Sequence, residues 1–250
     1  MDLRIVIAAH KPYPMPFDDA YLPLQVGAAG KPSIEGFGRD DDGENISVRN
    51  PNYCELTGLY WAWKNLKADA VGLVHYRRHF NATPERIATL LERHDIILPR
   101  KRNYFIETNY SQYAHAHHAL DLDLTRKILV ERHPECDSAF DRVMKRTSGH
   151  RFNMLVMKRE SLDAYCTWLF DILFELERRL DVSSYSRNDA RVFGFVAERL
   201  LDVWLEATGR TFAELPVRNL ESQHWPRKIV NFLLRKFRGC GKCGIISRLC

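Results

Sequence analysis

The chain has 250 residues, 45% of them hydrophobic, with five Trp, ten Tyr and thirteen Phe, so it can bury a substantial core and is not disordered as a whole. Its net charge of +5 is unevenly placed: seven basic and no acidic residues follow Glu221, leaving 30 basic against 32 acidic residues before that point. A near-neutral body argues against a nucleic-acid enzyme, and a basic tail points to an anionic surface.

No segment approaches the roughly 20 apolar residues that span a bilayer, and the amino terminus lacks a signal-peptide core, so a cytoplasmic protein is expected. Cys54, Cys136 and Cys166 read as small core residues of a reducing compartment, whereas Cys240-Gly241-Lys242-Cys243 is a lone pair too weak to predict zinc.

The run from Leu3 to Ala9 is rich in β-branched residues and predicts a strand ending in His10-Lys11. Residues 12–52 carry six prolines and repeated glycines and predict a long irregular loop. Within it, Asp40, Asp41 and Asp42 have the oxygen chemistry of a magnesium or manganese site, but three acids beside a glycine read better as solvated. Asn50-Pro51 looks like a helix start, and the spacing of Leu56, Leu59, Tyr60 and Trp63 predicts a helix through Asn65 with Glu55 near its positive end. The run Val71-Gly72-Leu73-Val74 predicts a buried parallel strand that passes directly into His75-Tyr76-Arg77-Arg78. Ligands bind at the carboxyl ends of such strands, and two guanidinium groups beside a phenol suit a nucleotide diphosphate.

A short helix over 84–94 and a strand over 95–99 follow, then Arg100-Lys101-Arg102. Residues 104–123 mix tyrosines with His115, His117, His118, Asp121 and Asp123 without a zinc spacing, and read as an acceptor-sugar platform formed by Tyr113, His117 and His118, with Asp121 as the first candidate base. Helices are predicted over 124–131, 138–146, 161–181 and about 189–207, with a strand over 152–157 carrying Asn153. Asp189 and Glu198 are further candidate bases, although a helix-face ion pair of Glu198 with Arg191, seven residues away, is the more ordinary expectation.

Taken together, Asn45-Ile46-Ser47, Asn50-Pro51, Tyr53-Cys54-Glu55-Leu56-Thr57, Tyr60-Trp61-Ala62-Trp63-Lys64-Asn65, Gly72-Leu73-Val74-His75-Tyr76-Arg77-Arg78, Phe152-Asn153-Met154 and Arg191-Val192-Phe193-Gly194-Phe195 with Glu198-Arg199-Leu200 resemble the domain-of-unknown-function 4422 family. The resemblance extends over residues 3 to about 207 and implies a bacterial capsule, exopolysaccharide or O-antigen glycosyltransferase, some members being galactofuranosyltransferases that use UDP-galactofuranose.

On that basis the expected fold is a single α/β, GT-A-like domain over 1–222, with a mixed, mostly parallel sheet, a helical C-terminal part and a basic amphipathic tail over 223–250. The expected donor site comprises His10, Lys11, Asn45, Asn50, Glu55, His75, Tyr76, Arg77 and Arg78, and Asn153 joins the acceptor side. With two arginines where many such enzymes hold manganese, no metal ligand is assigned, and a divalent ion is not required to neutralise the diphosphate. The expected partners are a UDP-sugar, a lipid-linked glycan acceptor and, through Trp225 to Arg238, the anionic inner face of the cytoplasmic membrane. The alternative is a non-catalytic nucleotide- or carbohydrate-binding subunit of a polysaccharide assembly complex.

Overall fold

The computed structural model describes residues 1–16 and 18–221, so the basic tail and its cysteines lie outside the described residues. Its strands are β1 (Leu3–Ala9), β2 (Tyr21–Gln25), β3 (Gly38–Arg39), β4 (Ala70–His75), β5 (Arg78–Phe80), β6 (Ile96–Pro99), β7 (Arg102–Asn103), β8 (Ser148–Gly149), β9 (Leu155–Lys158), β10 (Phe212–Leu215) and β11 (Val217–Asn219). The helices are α1 (Asn50–Tyr53), α2 (Leu56–Asn65), α3 (Pro84–Leu91), α4 (Asn109–Ala116), α5 (Ala119–Arg132), α6 (Asp137–Lys145), α7 (Arg159–Arg179) and α8 (Val192–Thr208).

The main sheet runs β10-β6-β9-β4-β1-β2-β3, with β5 and β11 folded against the end of β4. All pairings along that path are parallel except the two made by β9, which runs against both β4 and β6. This is the expected mixed, mostly parallel α/β sheet. The period-2 rule divides β1 between two cores: Val6 and Ala8 face α2 and the large helical layer, whereas Ile5 and Ile7 pack with Val74, Ile97 and the α3 residues Ile87 and Leu91. Burying each such aliphatic side chain stabilises the fold by roughly 1.5–3 kcal/mol before conformational entropy is subtracted. Gly72 lets β9 approach, since a Cβ there would lie 2.9 Å from Val156.

The reversed strand positions the site. Leu73 pairs with Leu155, so the residues preceding β9 arrive beside His75 at the edge where β1 and β4 end. The expected strand start at Phe152 is therefore corrected: Phe152 and Asn153 have φ of +77° and +50° and form a turn before β9.

Two other expectations change. The 12–52 segment supplies β2 and β3, because Pro23 still pairs with Ile7, and β3 pairs only with Leu24 and Gln25, so Pro23's missing N–H falls where no ladder continues. Asp40 is fully buried instead of solvated: it accepts hydrogen bonds from the Gly27 and Ala28 N–H groups, from Ser47 at 2.5 Å and from Thr57 at 2.6 Å, fastening the long loop to α2. Beside it, Arg39 in β3 donates to Asp41, to Ser33 and to the Ala28 and Lys31 carbonyls.

The predicted helix over 50–65 is broken at Cys54, whose φ of +55° and ψ of −131° separate α1 from α2, while Asn50 Nδ2 donates to the Cys54 carbonyl at 2.7 Å. The bonding capacity expected to serve a ligand there closes a backbone turn. In the C-terminal half, α7 buries Leu162, Tyr165, Leu169, Leu173 and Leu176 along its predicted stripe, and α8 ends at Gly209 in the left-handed conformation.

Candidate functional site

At the carboxyl ends of β1 and β4, paired through Ala8 and His75, the side chains change from apolar to cationic and aromatic. Tyr76 is buried, with the ring centres of His10 and Tyr13 each 5.1 Å from its own in steeply inclined contacts and the charges of Lys11 and Arg77 at 5.5 and 5.1 Å from it. Arg78 lies 4.5 Å from the Phe152 ring centre. Arg191, just before α8, donates to Cys54 Sγ at 3.0 Å and lies over Phe195. Burial, then Arg77, Lys11, Lys31 and Arg191, hold the His10 imidazole below its ordinary pKa, which is the electrostatic signature of several cations converging on one edge.

Glu55 lies within electrostatic reach of Arg78 and Arg191. Its Oε1 accepts from Asn153 Nδ2 at 2.6 Å, and the same amide nitrogen reaches the Gly194 carbonyl at 3.1 Å. His75 Nε2 lies 2.6 Å from the Phe152 carbonyl and 4.0 Å from Glu55. A carbonyl only accepts, so His75 carries its proton on Nε2. Cys54, Phe152 and Asn153, three of the four non-glycine residues with positive φ among the described residues, surround Glu55. Each costs about 1–2 kcal/mol, and strain of this kind collects at functional sites.

A buried layer supports that turn. Glu198 accepts the Phe152 N–H at 2.9 Å, Arg151 at 2.9 Å and Arg199 at 3.0 Å, and both arginines also donate to Gln112 at 2.7 Å. Burial works to raise the Glu198 carboxyl, but Arg151 and Arg199 outweigh it and hold it below its usual range. Burial beside Arg151 lowers Arg199 to about 10. Glu198 thus braces the Phe152–Asn153 turn. Its partners are Arg151 and Arg199, in place of the expected Arg191.

The expected acceptor platform folds into α4 and α5. Asp121 is buried, with one carboxylate oxygen accepting from Tyr113 and the other from Tyr185, both at 2.7 Å. Burial raises the Asp121 pKa against the pull of these hydroxyls and of His118. Asp189 accepts from Ser186 at 2.8 Å and lies 3.2 Å from His117 Nδ1 and 3.7 Å from His118 Nε2. The two imidazoles stack on Phe195 and Tyr185.

The structure therefore brings His10, Lys11, Glu55, His75, Tyr76, Arg77, Arg78 and Asn153 to one edge, and groups Tyr113, His117, His118, Asp121 and Asp189 in a helical cluster that meets it at Phe195, against which both His117 and Arg191 lie. Asn45 belongs to neither: its amide donates to the Asp41 and Gly43 carbonyls. Asn50 likewise spends its amide on Cys54 and Thr57. Sequence reasoning missed Arg191 as a member of the edge, although its motif was in view, and missed Glu221, which lies 3.4 Å from Arg77 and 3.9 Å from Lys11. Among the described residues no group of three or more His, Cys, Asp or Glu side chains is arranged to hold a metal ion. Nor is any described helix long and apolar enough to cross a membrane.

Residues 4–209 match the family described as "Domain of unknown function (DUF4422)", and the chain belongs to it. Among solved structures it is similar to the apo form of WbbM, a bifunctional glycosyltransferase, with a TM-score of 0.82 and 30% identity, over 88% of this chain and 45% of that one. The chain thus spans less than half the length of that protein. No curated protein matches it significantly.

Proposed function

We propose that this member of the family is a glycosyltransferase that moves a sugar, galactofuranose from UDP-galactofuranose, onto a growing bacterial surface polysaccharide with inversion at the anomeric carbon. The observation that carries the reading is the gathering of Lys11, Arg77, Arg78 and Arg191 at one edge, with a half-buried carboxylate, Glu55, within electrostatic reach of Arg78 and Arg191 and held among the described residues by one short hydrogen bond to its Oε1. The likeness to a glycosyltransferase supports it.

In this reading the cations receive the diphosphate and stabilise the charge that develops as the bond between the anomeric carbon and the phosphate oxygen breaks. Tyr76 and His10 provide the ring surfaces beside it. An acceptor hydroxyl attacks from the opposite face and gives its proton to Glu55, which Asn153 and His75 keep in place. UDP leaves with the bonding electron pair. Because the guanidinium groups supply the positive charge, transfer proceeds without a divalent ion.

The acceptor is lipid-linked and presented at the inner face of the cytoplasmic membrane, which the basic tail contacts. The test is UDP release by the purified full chain from UDP-galactofuranose, with and without a glycan acceptor and with a chelator, followed by assignment of the anomeric configuration of the product. Acceptor-dependent release that survives chelation, with an inverted product, is expected. Binding of UDP with no turnover on any surface-glycan acceptor would instead assign the chain to a non-catalytic subunit.

A further inference from the structure

Between β6 and α4 the chain leaves the sheet as Arg100-Lys101-Arg102-Asn103-Tyr104-Phe105-Ile106. Tyr104 ties this loop inward: its N–H donates to the Thr147 carbonyl at 2.7 Å, and its hydroxyl meets the Arg151 guanidinium. Outside that anchor the chain turns sharply, with the Phe105 N–H on Asn103 Oδ1 and the Ile106 N–H on the Tyr104 carbonyl, both at 2.7 Å. The turn presents Phe105 and Ile106 to solvent at 81% and 62% exposure. Phe105 has φ of +60°, a conformation that is uncommon for a bulky residue and costs glycine almost nothing. Among the described residues no ring or cation pairs with Phe105, so none of them compensates for placing an aromatic side chain there.

The charges beside this tip have the same character. Arg100, Lys101 and Arg102 are exposed and form no ion pair among the described residues, although Lys101 lies 5.6 Å from the Phe212 ring centre and its charge reaches Asp202, whereas Arg126, Arg132, Arg142 and Arg146 each hold a carboxylate. No acidic residue occurs between Arg100 and Ile106, and Glu107, which follows, lies 2.7 Å from His115 Nδ1. A pair of apolar side chains on a fixed turn, bordered by exposed cations without an ion-pair partner among the described residues, complements a surface that is apolar within and negatively charged at its boundary.

The geometry points to an anionic lipid bilayer as the partner of this loop, with Phe105 and Ile106 among the acyl chains and Arg100, Lys101 and Arg102 at the lipid phosphates. A protein groove would accept the apolar pair, but a run of cations without one acid fits a surface of uniform negative charge better. The loop is continuous with the candidate site, since Tyr104 contacts Arg151, Arg151 pairs with Glu198, and Glu198 holds the Phe152 backbone. Docking through the loop is independent of the transfer reading and of the tail, because it needs no donor and involves described residues alone.

The test uses the full chain with vesicles of phosphatidylcholine, alone or mixed with phosphatidylglycerol. Flotation should recover wild-type protein with the anionic vesicles only, and F105S/I106S should lower the bound fraction about tenfold. R100Q/K101Q/R102Q should lower the bound fraction at low salt and show a shallower salt dependence than wild type, the remainder coming from the basic tail. Thermal unfolding of both variants should match wild type, since the substituted side chains are exposed. The single variant F105W should show a blue-shifted indole quenched by brominated lipid. Wild-type binding by F105S/I106S with an unquenched indole at 105 would overturn the proposal, as would failure of wild type to float. A concentration-dependent blue shift without vesicles, accompanied by dimer in sedimentation, would assign the loop to a second copy and equally overturn it.

Discussion

The strand edge around Glu55 and the helical cluster around Asp121 contain the same kinds of side chain, histidine, tyrosine and carboxylate, and use them in opposite ways. At Asp121 each oxygen accepts a tyrosine hydroxyl, and the helical backbone nearby is relaxed. At Glu55 one oxygen accepts a single amide, cations crowd one edge, and three residues are held at positive φ. The difference teaches that residue type alone does not mark a site. On the proposed reading, unspent bonding capacity in a strained, electropositive setting does, whereas a saturated network fastens helices together.

The sharpest way to break this comparison is to remove one charge from each region. Glu55→Gln should lower acceptor-dependent turnover by roughly 10²–10⁴-fold while changing UDP affinity only a few-fold, as expected when a proton acceptor is lost and the donor contacts remain. Steady-state kinetics and UDP calorimetry would check it, and near-normal turnover would deny Glu55 the role.

Asp121→Asn should instead destabilise the fold by about 2–4 kcal/mol, because an amide opposes one of the two tyrosine hydroxyls that meet this buried carboxylate. Urea unfolding measures that cost, and activity per folded molecule should stay within a few-fold of wild type. A variant that unfolded like wild type yet transferred nothing would exchange the roles of the two regions.

A smaller effect sharpens the electropositive half of the contrast. Arg191→Ala should weaken UDP binding about tenfold and UMP binding less, since a diphosphate offers the guanidinium more charge. Equal weakening of both would place Arg191 away from the diphosphate.

The smallest effect concerns the floor of the edge, where His79 is buried against Tyr21 with an unpartnered Nε2. Burial, then Arg218 and His75, lowers its pKa from 6.5 to about 4. The unfolded imidazole therefore takes up a proton before the folded one does, so stability falls as pH drops from 6.5 towards 4 and is flat below that window, by at most roughly 3 kcal/mol in all. Urea midpoints for wild type and His79→Phe across this range should show the slope reduced in the variant, and unchanged slopes would remove His79 as its source.

What the sequence made legible follows from how local each signal is. The strands β1, β4 and β6 and the helices α7 and α8 are continuous apolar runs or stripes, and the cationic edge could be read because His10-Lys11 and His75-Tyr76-Arg77-Arg78 directly follow such runs. The break at Cys54 had no local sign, because Cys is not a turn residue and Arg191, which holds its sulfur, lies far away in the chain. The α4 helix was hidden because its buried residues are Asn109 and Tyr113, which do not form an apolar stripe. Asp121 could be recognised as an important carboxylate, but Tyr185, which engages its second oxygen, comes from a distant segment and is visible only in three dimensions.

The short margin of the sheet has a consequence for life in a concentrated solution. The strand at one edge, β3, is two residues long, and the Arg39 side chain occupies the carbonyls of Ala28 and Lys31 beside it. A neighbouring molecule that approaches this rim finds almost no free backbone ladder to extend and a guanidinium group in the way. Edge-to-edge pairing at this rim of the sheet is thereby discouraged, so crowding should not add a strand at β3.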